Sequence, residues 1–191
     1  MWTIGLDPGL TETGLVLLSP EGHYVTGVTF RAAKEGADLE RIGNLADAIV
    51  GAIRTWFFDY QIHGALVAIE TPILRGGGPG YNVVTYRKQV SLLHEIERQL
   101  WAWAMRSERI RIAEINPMVS KRAATGSGPA TKDDMVAASP FSGRDDIPRP
   151  SREALSDAWG HALAARLVTG VTRYVDLADL ECRALPAQWR E

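Results

Sequence analysis

Thr3-Ile4-Gly5-Leu6-Asp7-Pro8-Gly9-Leu10-Thr11-Glu12-Thr13-Gly14-Leu15 is the stretch around which the chain is organised. A short apolar run ends on a carboxylate, and Pro8-Gly9 turns the chain at once. Asp7 is thereby presented at a strand end, and strand ends of open α/β sheets face the crevice where ligands bind. The plainer explanation is that Asp7 merely opens the turn, a position Asp suits. The choice depends on whether further carboxylates reach the same place.

Composition narrows the field. At 191 residues the chain is long enough to bury a substantial core, and 46% apolar with 23% charged residues is ordinary for a globular protein. One cysteine, Cys182, cannot make a disulfide framework. No run approaches the roughly 18–20 apolar residues of a membrane span, and the N-terminus lacks a signal-peptide pattern. A reducing, cytoplasmic setting is therefore expected. Residues 1–170 read as one domain and 171–191 as a C-terminal tail without pattern.

The net charge of −2 conceals an asymmetry: residues 71–132 hold ten Lys or Arg against four acids. An anionic partner suits this middle third, although Arg98 and Arg106 are explained as well by solvated helix faces.

Strands are expected at 2–7, 14–18 and 23–30, joined by tight turns and therefore antiparallel. Residues 37–58 have helical spacing, with Leu39, Ile42, Leu45, Ala46, Ile49, Ile53, Trp56 and Phe57 on one broad stripe. Gly64-Ala65-Leu66-Val67-Ala68-Ile69-Glu70 reads as a central parallel strand, and Glu70 repeats the design of Asp7. After a Gly/Pro-rich segment, helix is expected over 82–106 and strand over 109–115. Two short helices (116–122 and 131–138) and a last helix capped by Ser151 and running to 168 complete the pattern. Residues 139–150, with three prolines, read as a mobile surface loop. Right-handed helical crossovers then place the first and fourth strands side by side, with Asp7 and Glu70 at one edge. The expected fold is α/β: a mixed five-stranded sheet, three antiparallel strands plus two parallel ones, flanked by helices in a ribonuclease H-like arrangement.

In the last helix Glu153, Asp157 and His161 recur every four residues and share a face, opposite the apolar stripe of Leu155, Ala158, Ala162, Leu163 and Leu167. Two carboxylates about 4 Å apart repel by about 4 kcal/mol at an effective dielectric of 20, so such a cluster needs protons or cations. Oxygen ligands with at most one His and no cysteine suit Mg²⁺ or Mn²⁺ better than Zn²⁺. Two such ions would support hydrolysis of a phosphodiester.

These motifs are similar to those of the RuvC family of Holliday-junction resolvases. The resemblance rests on Asp7-Pro8-Gly9 with Thr13-Gly14, strand-ending Glu70, Lys121 with Thr125-Gly126-Ser127-Gly128-x-Ala130-x-Lys132, and Asp157-Ala158, spanning residues 3 to about 168 in family order. It implies a homodimer that binds four-way DNA junctions and nicks two strands symmetrically with divalent metal, Mg²⁺ or Mn²⁺. By the same resemblance Asp7, Glu70 and Asp157 would ligate metal, and Lys121, Thr125, Ser127 and Lys132 would approach phosphates. Amides around Gly126 and Gly128 could add an anion contact. Arg75, Arg87, Lys88 and Arg122 are further DNA-binding candidates, while Ile73, Leu74, Tyr81 and Tyr86 could contact unpaired bases.

The chain departs from the family in two places. Three positions before the last Asp, where the family usually carries an acid or His, stands Ala154. Glu153, four before Asp157, is the candidate for the fourth catalytic and metal-binding carboxylate; His161, four after it, is the alternative. A shifted registration puts His161 in the last-Asp slot and Asp157 in the one before. The glycine-rich loop after Glu70 is the second departure. A different nuclease of the same fold, acting on forks, flaps or RNA-containing substrates, would carry the same carboxylates. A sugar-kinase-like phosphotransferase would need a second lobe, and an inert scaffold would gain nothing from clustered acids.

Overall fold

The computed structural model of the chain describes residues 1–71, 83–104 and 110–168, and the backbone of 182–184. Its strands are β1 (Trp2–Asp7), β2 (Thr13–Leu18), β3 (Tyr24–Phe30), β4 (Ala65–Glu70), β5 (Ile110–Ile115) and β6 (Cys182–Ala184). Its helices are α1 (Asp38–Asp59), α2 (Val83–Ala104), α3 (Pro117–Thr125), α4 (Lys132–Ala138) and α5 (Arg149–Val168).

The sheet order is β3-β2-β1-β4-β5-β6. The first three strands are antiparallel, and β1 pairs parallel with β4, Leu6 opposite Ile69. β4 pairs parallel with β5. The expected five strands thus form the body of the sheet. β6 adds a short antiparallel edge to β5, from within the stretch read as a tail. Three residues are too few to display a strand's alternation.

Alternation along the strands sorts the two faces. Ile4, Leu6, Leu15, Leu17, Val67 and Ile69 pack with Ile42, Ile49 and Ile53 of α1 and Leu92, Ile96 and Leu100 of α2. On the other face Val16 and Leu18 meet Leu155, Ala158 and Ala162 of α5, and Leu66 and Ala68 meet Ala164 and Ala165. By the same period of two, Asp7 follows Gly5, and Glu70 follows Ala68, onto the α5 side. The sheet therefore points both strand-end carboxylates at the closing helix.

Two glycines set how closely that helix approaches. A Cβ on Gly5 would stand 1.8 Å from the Ala158 carbonyl oxygen, and one on Gly14 2.0 Å from that of Ala154. Bare backbone at both strands seats α5 directly on β1 and β2. At the far end of α5, Arg166 is buried and donates to the carbonyls of Ser19 and Pro20, 2.9 Å each, tying the helix to the β2–β3 turn.

Two expectations are corrected. Ser151 does not cap α5, which begins two residues earlier; its buried hydroxyl donates to Glu12 Oε1 at 2.5 Å, and Arg31 pairs with the same carboxylate. The segment before α5 is anchored: Phe141 is fully buried and meets Tyr24 edge to face, and the Ser139 and Ser156 hydroxyls lie 2.9 Å apart. Its prolines and charges hid one large apolar side chain that pins it. Among the described residues no helix is long and apolar enough to cross a membrane.

Candidate metal centre and nucleic-acid face

The Pro8-Gly9 turn is bracketed by Thr13, whose hydroxyl donates to the Gly9 carbonyl at 2.7 Å and accepts from the Gly9 amide at 3.1 Å. Asp7 is thus held between a paired strand and a locked turn. Glu70 ends the neighbouring strand, and α5 brings His161 and Asp157 over both. Asp7, Glu70 and His161 each offer a ligand atom, all within 4.8 Å of one another. His161 Nε2 lies 3.2 Å from Glu70 Oε2, and its Nδ1 lies 2.5 Å from the Ser120 hydroxyl.

The charges are strained in the way a cation would relieve. Burial, then the negative charges of Glu70 and Asp157, push the Asp7 carboxyl well above the usual carboxylate range. Burial also raises Asp157, though the charges of His161 and Lys132 work against it. Desolvation would raise Glu70 too, but its hydrogen bond to His161 and the surrounding positive charge hold it below its ordinary value. A self-repelling set of carboxylates with one imidazole fits a hard divalent ion such as Mg²⁺ or Mn²⁺.

Glu153 is engaged elsewhere. Its Oε2 accepts from Lys132 Nζ at 3.2 Å and its Oε1 from Arg149 Nε at 2.9 Å, and these partners hold it below the usual carboxylate range. Residues 153 and 161 are about 12 Å apart along a helix axis, at 1.5 Å per residue. The structure places His161 beside Glu70 and leaves Glu153 with the two cations.

Among the basic candidates, Lys121 contributes positive charge at Glu70 and Asp157. Burial disfavours charge on Lys132, but its bond to Glu153, with Asp157 and Asp7 nearby, holds the ammonium above its ordinary value. Arg122 is partly exposed in α3, and Arg87 is exposed on α2. Lys88 pairs with Asp38 of α1 at 2.9 Å, and Tyr86 is half-buried. Ile73, Leu74, Arg75 and Tyr81 lie outside the described residues. Thr125 shapes its own turn, donating to the Lys121 carbonyl at 2.8 Å and accepting from the Ser127 amide at 3.1 Å. The Gly126 amide donates to the Arg122 carbonyl, closing α3. The Gly126 and Ser127 amides are thus engaged in closing the C-terminus of α3, an end whose dipole disfavours anions. Ser127 itself is exposed beside that turn.

Fold and site together define a class: a ribonuclease H-like α/β protein with an acidic centre at the ends of β1 and β4, under the middle of α5. The crossover junction endodeoxyribonuclease RuvC of Paraburkholderia phymatum is 31% identical over 137 residues, covering 71% of this chain and 67% of that protein. The chain belongs to the RuvC family. No protein-family model matches it. Among solved structures, Thermus thermophilus RuvC superposes with a TM-score of 0.61 at 21% identity, covering 96% of this chain and all of that one. RuvC of the same organism in complex with a Holliday junction substrate gives 0.61 at 20% identity, over 89% and 95% of the two chains. The yeast mitochondrial Holliday junction resolvase Ydc2 gives 0.57 at 11% identity, over 90% and 80%.

Proposed function

We propose that the protein is a Holliday-junction resolvase: a structure-selective endonuclease that hydrolyses phosphodiesters of four-way DNA junctions, nicking two strands symmetrically as a homodimer. One observation carries the reading. In a RuvC-family chain, Asp7, Glu70 and His161 converge within 4.8 Å, with Asp157 contributing charge to the same centre.

Asp7, Glu70, Asp157 and His161 would hold the metal. Bound there, two Mg²⁺ or Mn²⁺ ions supply the charge that activates water and stabilises the leaving oxygen. The protein's own residues prepare this. Thr13 and the Pro8-Gly9 turn keep Asp7 at the rim and turn the chain away from the path of a phosphate. Burial and the negative charges of Glu70 and Asp157 bias Asp7 towards its protonated form, a bias that a cation in the cluster would oppose. Lys121 and Lys132 bring positive charge to the same edge, suited to phosphates flanking the scissile bond, and Lys132 is steadied by Glu153. Exposed Val83, Val84 and Trp101 make α2 the surface proposed to seat the second copy.

The test is a cleavage assay in Mg²⁺ comparing a four-way junction with duplex, fork and flap DNA. Preferential, paired nicking of the junction is the expected result. Equal cutting of all four would move the protein to the broader nuclease reading.

A further inference from the structure

Both ring nitrogens of His161 have partners: Nε2 faces Glu70 Oε2 at 3.2 Å, and Nδ1 faces the Ser120 hydroxyl at 2.5 Å. Ser120 and His161 are each only 1% exposed, so water does not compete for the contact. The packing is arranged for it. Asn116 caps α3, accepting from the Met118 amide at 2.9 Å, and this fixes the helix that carries Ser120. On α5 the residue before His161 is Gly160, where a Cβ would meet the Ser120 carbonyl oxygen at 3.2 Å and Met135 Cε at 2.7 Å. The missing side chain lets α3 approach the ring.

A hydroxyl oxygen can accept from a ring N–H. An imidazole that offers Nε2 to a cation carries its ring proton on Nδ1, and the Ser120 oxygen stands where it would accept that N–H. We infer that Ser120 is a positioning residue that fixes the His161 ring through Nδ1, so that Nε2 stays directed at the carboxylate edge. The inference rests on the metal-centre reading given under Proposed function.

The experiment is calorimetric Mn²⁺ titration of the full chain and of Ser120→Ala, Ser120→Thr, His161→Ala and the Ser120→Ala/His161→Ala double variant. Ser120→Ala is expected to weaken Mn²⁺ binding about tenfold, the lower end for loss of a residue orienting a metal-bound His. Ser120→Thr, which keeps the hydroxyl, should stay within about threefold of wild type. In the His161→Ala background the Ser120 change should cost nothing further. Wild-type affinity in Ser120→Ala with weakened His161→Ala, or a full additional loss in the double variant, would overturn the role of Ser120. Unchanged binding by His161→Ala would instead overturn the metal-centre reading of His161. Should Ser120→Ala fail to fold, ¹⁵N NMR of the wild-type ring decides: saturating Mg²⁺ must leave Nδ1 protonated, and a bare Nδ1 overturns the inference.

Discussion

The carbonyl oxygen of Ala158 occupies space that a Cβ on Gly5 would need, 1.8 Å from where that carbon would stand. Helix backbone therefore rests on strand backbone at the point where the helix delivers Asp157 and His161 to the ends of β1 and β4. Gly5→Ala should force α5 off the sheet and destabilise the protein by about 3 kcal/mol, at the upper end for overpacking. Cleavage should be lost with it. Gly51→Ala in α1, where a Cβ meets nothing within 4 Å, should instead stabilise by about 0.5–1 kcal/mol. Chemical denaturation of the two variants makes the comparison.

Asp7→Asn and Glu70→Gln keep shape and remove charge. Each should lower junction cleavage in Mg²⁺ by about 10²- to 10³-fold or more, the scale of losing one electrostatic stabiliser of a transition state. Junction binding in a gel-shift assay should persist or tighten, because a buried negative charge has gone. Normal cutting by both variants would remove these carboxylates from the chemistry.

A centre that repels itself should gain stability from cations. Mn²⁺ at a hundredfold above its Kd should add about 2.7 kcal/mol of stability by linkage. A thermal melt should show the rise in wild type, its reversal by a chelator, and little rise in Asp7→Asn.

Lys121 and Lys132 stand at the carboxylate edge and are assigned here to DNA phosphates. Changing either to Met should flatten the dependence of log affinity on log salt by about 0.9 for each duplex phosphate that the lysine no longer neutralises. Filter binding between low and moderate salt measures the slope. An unaltered slope would place that lysine away from the backbone.

Away from the site, burial and then the neighbouring charge of Glu114 push Glu97 up to about 7. In an unfolded chain this group would titrate near 4.5. The folded state therefore binds a proton the unfolded state has released between those values, and stability falls as pH rises from about 4.5 to 7. Glu97 is partly solvated, so the loss is about 1–2 kcal/mol after screening. Glu97→Gln should be the more stable protein at pH 8 and lose that advantage at pH 5, as read by denaturation at the two pH values.

Much of this was legible before any coordinates. Apolar alternation and helical spacing located the first five strands and the helices to within about three residues, and the crossover rule brought Asp7 and Glu70 to one edge. The height at which α5 docks was not legible. Glu153, Asp157 and His161 share a helix face by spacing alone, so periodicity cannot say which end of that face meets the sheet. The register is set by Ala158 over Gly5 and Ala154 over Gly14, pairs of residues 153 and 140 positions apart. Ser120 carried no signal beyond standing before Lys121, since its meeting with His161 depends on the packing of α3 against α5. Likewise, Phe141 gave no periodic cue in a segment dominated by Pro, Asp and Arg.

The residues proposed to hold the metal come from the first strand, from residue 70 and from a helix that begins only at Arg149. A ribosome has therefore made more than three quarters of this chain before the last part of the centre exists. Until α5 lies down on β1 and β2, Asp7 and Glu70 are two acids at a sheet edge without His161 or Asp157. On the proposed function, a chain ending before the final helix would hold two of the four residues of the centre and lack the other two.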